Sequence, residues 1–161
     1  FDRVFFANYT SLPLPPPYNE ASLATLVEAG NLATAIGTAQ ALDAAGYGLE
    51  GAAVYNLTAD QWEVSAGLAI QDAIDRAEAG DVIDVAAGTF EEDLAFDKGL
   101  TINGPNPGIS HDGSRSAEAI LDGEHTLSAA AAVTLDGLQF PSNNSAQTST
   151  IYATTAAGHA I

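Results

Sequence analysis

The chain has 161 residues, 47% of them hydrophobic, enough for a packed core in one domain or two small ones. Its charge is one-sided, with 21 Asp and Glu against 4 Lys and Arg and a formal net charge of -17, a field that repels phosphate backbones and anionic headgroups and so argues against nucleic acid and membrane surfaces as partners. There is no Cys for disulfides or thiolate metal sites, and no apolar run is long enough for membrane insertion as a helix.

Residues 1–18 read as an extended, Pro-rich arm. Phe1, Val4, Phe5, Phe6 and Tyr9 are followed by Leu12-Pro-Leu-Pro-Pro-Pro-Tyr18, and proline fixes φ in a non-helical range. The aromatic content favours an arm packed on its own domain or on a neighbour. Residues 19–65 read as a helical hairpin and linker. Asn19 is a suitable N-cap before Leu23, Leu26 and Val27, and Gly30 and Asn31 punctuate. A second helix carries Leu32, Ile36, Ala39 and Leu42 and ends at Gly46 or Gly48. Residues 49–64 read as irregular, anchored by Trp62.

From residue 66 to 161 the pattern changes. Ala66–Ala79 predicts a short amphipathic helix with Leu68, Ile70, Ala73, Ile74 and Ala77 on its apolar side, stopped by Gly80. Strand-like runs follow at Val82–Val85, Leu94–Phe96 and Leu100–Ile102, then a long loop, Pro105–Ser116. The pattern returns at Ala119–Leu121, Leu127–Ala129 and Val133–Leu135, and again at Thr150–Ala153 and His159–Ile161. Leu94-Ala-Phe-Asp-Lys-Gly-Leu-Thr-Ile-Asn-Gly104 aligns without gaps on Leu127-Ser-Ala-Ala-Ala-Ala-Val-Thr-Leu-Asp-Gly137. Short strands repeating at such a spacing predict a solenoid, whose coils bury their apolar faces on one another.

The stretch from Ile70-Gln-Asp-Ala-Ile through Gly80-Asp to Gly88-Thr-Phe90 resembles the entry of pectate-lyase-like right-handed parallel β-helix domains. Lys98-Gly-Leu-Thr-Ile-Asn-Gly104, Glu118-Ala-Ile-Leu-Asp-Gly123 and Val133-Thr-Leu-Asp-Gly-Leu-Gln-Phe140 continue the resemblance, which covers about residues 66–161. It implies a mainly β fold: the start of a right-handed parallel β-helix with an N-terminal capping helix, preceded by a small helical and extended region. Such domains occur in large secreted and surface bacterial proteins, in phage fibres and in polysaccharide lyases and hydrolases, so the fold leaves the function open. By the same analogy fibres of this kind are often trimers. The chain has no Met and ends in mid-strand, so it is expected to be processed or trimmed, and to continue or be covered by another chain.

A lyase needs a base and a cation at the uronate, but the basic residues are only Arg3, Arg76, Lys98 and Arg115, each suited to ion pairing or loop fixing. A hydrolase would use paired carboxylates, for which Asp84, Glu91, Glu92, Asp93, Asp97, Asp122 and Asp136 are available. Asp122 and Asp136 each precede Gly, as in an ordinary turn. Glu91, Glu92, Asp93 and Asp112 offer oxygen ligands of the kind calcium takes, and no other cofactor is expected. His111, His125 and His159 lack metal-ligand spacing. Asn8-Tyr-Thr10, Asn56-Leu-Thr58 and Asn143-Asn-Ser145 match the short glycosylation pattern.

No catalytic residue is assigned. The expected function is a non-catalytic structural or interaction segment of a larger extracellular, cell-surface or virion fibre protein. It would act as a rigid shaft with an N-terminal docking region, its partners other subunits or further copies of itself. The alternatives are the first part of a carbohydrate-active enzyme, or an adhesin module binding glycans through aromatics such as Tyr152.

Overall fold

The computed structural model describes residues 2–65, 67–110, 112–141 and 150–153. The first element is strand β1 (Arg3–Tyr9), followed by helices α1 (Glu20–Glu28) and α2 (Leu32–Leu42). Asn19 caps α1 in a reciprocal box: its side chain accepts the Ser22 N–H at 2.8 Å, and the Ser22 hydroxyl accepts the Asn19 N–H at 2.9 Å. After α2 the chain makes a wide π-type turn, Asp43–Tyr47, and Gly46 takes a φ of 90° there. Strands β2 (Leu49–Asn56) and β3 (Gln61–Val64) follow, then helix α3 (Ile70–Arg76).

Nine short strands complete the described chain: β4 (Val82–Val85), β5 (Gly88–Glu91), β6 (Leu94–Phe96), β7 (Thr101–Asn103), β8 (Ala119–Asp122), β9 (Glu124–Leu127), β10 (Thr134–Asp136), β11 (Leu138–Gln139) and β12 (Thr150–Ala153). They form three sheets. The largest is ordered β1-β2-β3-β4-β7-β10, and the others β11-β8-β5 and β12-β9-β6. β1, β2 and β3 pair antiparallel, whereas every pairing from β3–β4 onward is parallel.

The expected fold class, a mainly β right-handed parallel β-helix behind a separate small helical and extended region, is therefore corrected. The molecule is mixed α/β, with three α-helices among the described residues and short strands in sheets of mixed orientation. The physical reason lies at Leu49–Val64. This stretch, read as irregular, supplies two strands that weld the N-terminal edge strand onto β4, so the largest sheet runs unbroken from β1 to β10. β2 is buried on both faces over Gly51–Val54, which erases the alternation that marks a half-exposed strand. β5 and β11 lie outside the expected strand runs, because four residues opening on the turn residue Gly88 and the pair Leu138-Gln139 are too short to show a period-two pattern.

The core follows from the register. Trp62, Ile83, Ile102 and Leu135 face each other on successive strands and are all buried. Phe90 opposes Leu121, and Phe96 opposes Leu127. α3 adds Ile70, Ala73 and Ile74. Truncating Ile83 or Ile102 to Ala would cost about 2–5 kcal/mol. The opposite face of the large sheet presents Phe5 and Tyr9, with Val54 across from Phe5. There α1 and α2 contribute Leu23, Val27, Ala35, Ala39 and Leu42 to the same apolar cluster.

Candidate functional site

The densest set of charged contacts surrounds α3. At its N-terminus the Glu92 carboxylate accepts the Ile70 N–H at 2.8 Å and the Gln71 N–H at 3.1 Å. At its C-terminus the Lys98 ammonium donates to the Ile74 and Ala77 carbonyls at 3.0 and 3.1 Å. An anion at the first turn and a cation at the last complement the helix dipole and satisfy groups the helix leaves unpaired. Gln71 bridges to β6: its side-chain oxygen accepts the Ala95 N–H at 2.8 Å, and its amide donates to the Ala95 carbonyl at 3.4 Å. On the other side Asp72 accepts the Ala52 N–H at 2.8 Å. Burial pushes the Glu92 carboxyl above its usual range, against the two N–H donors that favour the anion, and does the same to Asp72 against Ala52 and Arg76.

A second polar cluster fixes the loop between β7 and β8. Arg115 clamps Glu118 with two bonds, 2.6 Å from Nε and 2.9 Å from a terminal nitrogen, and also donates to the Ile109 carbonyl at 2.6 Å. Glu118 accepts from fully buried Asn106 at 2.9 Å, and the Asn106 oxygen accepts the N–H and the hydroxyl of Ser116. Asp136 accepts the Gly108 N–H at 2.9 Å.

A third group lies along the large sheet. Gln61 and Asn103 both donate to Asp84, at 2.5 and 3.2 Å. Asp81 accepts from the Trp62 indole at 3.0 Å. Arg3 grips Glu63 at 2.6 and 3.1 Å, and Asn56 donates to the same carboxylate at 2.7 Å. Burial acts to raise the Glu63 carboxyl, but the Arg3 and Asn56 bonds outweigh it and hold it below the usual range.

The calcium candidates are spent separately. Glu92 holds α3, Asp93 accepts the Glu124 N–H at 2.8 Å, Asp112 accepts the Ser110 hydroxyl at 2.5 Å, and Glu91 is exposed on β5. Among the described residues no group of three or more His, Cys, Asp or Glu is gathered to hold a metal ion. Glu91 does oppose Asp122 across β5 and β8. Asp97 lies 3.8 Å from the Lys98 ammonium. Arg76 lies over the Phe6 ring at 5.6 Å and donates to the Gly51 carbonyl at 3.4 Å.

His125 points into the core from β9, edge-on to Phe140 at 5.7 Å. Burial lowers its pKa, with the Leu121 backbone and the Asp93 and Asp122 carboxylates opposing. His111, His159, Asn143 and the side chain of Tyr152 lie outside the described residues. Asn56 is buried, and its oxygen accepts the Thr58 and Ala59 N–H groups in the β2–β3 turn, so a glycan there would disrupt the fold. Gln71, Asp72, Asp81 and Asn106 were missed in the sequence. Their one signal is chemical type, since a polar residue inside an apolar run marks a backbone partner elsewhere.

Chemically, these groups hold backbone. The Glu92 carboxylate gives two of its lone-pair positions to the Ile70 and Gln71 N–H groups. No family model matches the chain, and neither a curated protein nor a solved structure matches it.

Proposed function

We propose that the chain is a non-catalytic structural and interaction segment of a larger extracellular, cell-surface or virion fibre protein. Its stacked strands act as a rigid shaft, and its N-terminal region docks other subunits. One observation carries the reading: of the charged side chains available for chemistry, Glu92, Asp93, Lys98, Arg115 and Asp136 are bonded to the protein's own backbone. Glu92 and Lys98 clamp α3, and Arg115, paired with Glu118 and bonded to the Ile109 carbonyl, ties down the loop before β8. The in-register apolar column from Trp62 to Leu135 suits a stiff spacer, because each strand is fixed by its neighbours. The acid excess keeps such a segment soluble and away from anionic surfaces.

The test is turnover. Purified chain is incubated with pectic, alginate-type and neutral polysaccharides, with and without calcium, and followed by the ultraviolet absorbance of unsaturated uronates and by reducing ends. The reading predicts no product above a heat-inactivated control. Product formation that disappears in Lys98→Met or Glu92→Gln, both still folded, would overturn it in favour of a carbohydrate-active enzyme.

A further inference from the structure

β1 is the outermost strand of the large sheet, paired only with β2 among the described residues. Its backbone groups can be sorted by direction. The Asp2 carbonyl accepts the Leu57 N–H at 2.7 Å, so the neighbouring even positions face β2. Ala52, opposite Ala7, sends its N–H away from β1 to Asp72. The alternation therefore turns the N–H and C=O groups of Arg3, Phe5 and Ala7 outward. Among the described residues no other backbone group bonds to them.

Along this edge runs a groove of about 310 Å³ whose floor is the consecutive run Val4–Asn8. One wall is α1, through Glu20, Ala21, Leu23 and Ala24, and the other is Arg76. Exposed Phe6 adds apolar surface. An open strand edge beside a helix is a site that an extended segment fills by adding a strand: main-chain bonds give affinity, and alternate side chains read the walls.

We propose that the β1 edge binds an extended segment of another protein, apolar at alternate positions and flanked by basic residues. Charge selects this occupant. The groove's one cation, Arg76, is already laid on Phe6 and bonded to the Gly51 carbonyl, whereas Glu20 stands exposed on the helix wall. The surrounding field belongs to a chain of net charge -17, which favours a cationic strand and disfavours a second copy. The proposal rests on the interaction reading of the N-terminal region and names its docking edge.

The experiment titrates the intact chain with a labelled Lys-Val-Thr-Val-Thr-Val-Lys peptide by fluorescence anisotropy. Controls are the same peptide with Glu at both ends, and one with its central Val replaced by Pro. Ala7→Pro removes an outward N–H while leaving the bonds to β2, and circular dichroism checks its fold. The Lys-flanked peptide is expected to bind saturably, Ala7→Pro to weaken it about tenfold or more, and the central Pro to abolish it. Glu20→Lys, on the exposed wall, is expected to weaken the Lys-flanked peptide and strengthen the Glu-flanked one. It decides the matter if Ala7→Pro does not fold. Absence of binding, binding indifferent to Ala7→Pro in a folded variant and to Glu20→Lys, or equal binding of the Glu-flanked peptide would overturn the proposal. So would light scattering that finds a dimer which Ala7→Pro converts to a monomer. Failure here leaves the turnover test standing, and turnover on polysaccharide would leave the groove standing, so the two claims fail separately.

Discussion

His125 shows how far a single residue's environment sets its behaviour. In the sequence it is one of three scattered histidines; in the fold it is 1% exposed, between Leu94 and Ile151 in the register of neighbouring strands. Its folded pKa lies below the ordinary 6.5, so on acidification the unfolded chain takes up the proton first. Stability should fall as pH drops below about 6.5, until the folded-state value is passed. Urea unfolding from neutral pH to pH about 5 should show the wild type losing stability relative to His125→Leu, whereas parallel curves would show that the imidazole is not held neutral. Glu63 acts lower on the scale and by a different balance: its folded pKa is depressed, so the Arg3 and Asn56 contacts stabilise above the usual 4.5 and are lost as pH falls through the folded value. Glu92 acts on a helix end. Glu92→Ala leaves two N–H groups of α3 without acceptors and should cost about 1–2 kcal/mol by urea unfolding at neutral pH, and an unchanged midpoint would refute the clamp.

At the scale of elements, α3 has seven residues, too few to be helical alone, and depends on what holds it. Its existence was legible from Ile70, Ala73 and Ile74, but its dependence on Glu92 and Lys98 was not, since Glu92 lies two strands and Lys98 three strands further along the chain. The repeat was legible in part. Thr101 and Ile102 pair with Thr134 and Leu135 as the gapless alignment has them, but Leu94 pairs with His125 and Phe96 with Leu127. The turn after β9 is two residues longer than the turn after β6, and a gapless comparison places that difference in the wrong element. A two-residue slip leaves every side chain on its own face, so the apolar pattern could not reveal it. Gly137 marks a different constraint: it holds a φ of 70°, and a Cβ there would stand 2.4 Å from the Asn106 carbonyl carbon. Gly137→Ala should cost at least about 1–3 kcal/mol and raise protease cleavage within residues 105–118, and a variant as stable and as resistant as the wild type would contradict that packing.

For the whole molecule, the acid excess and the continuous large sheet have separate consequences. A net charge of -17 works against compaction, so moderate salt should raise the urea midpoint, and a fall would show that the ion pairs of Arg3 and Arg115 outweigh the repulsion. The sheet carries the structural reading, because a docking edge at β1 can bear on a shaft only if β1 to β10 behave as one body. Composition and periodicity located the two ends of this body; the join was hidden, because Ala52, Ala53 and Val54 are buried without alternation. The most direct measurement is native-state hydrogen exchange resolved to single amides in β2, β3, β4 and β7. One cooperative sheet predicts that Val54, Val64, Ile83 and Ile102 exchange with a common opening free energy and a common dependence on denaturant. Exchange of the β2 and β3 amides through a separate, less stable opening, with β4 and β7 still protected, would contradict the account and divide the molecule at the Trp62–Ile83 register.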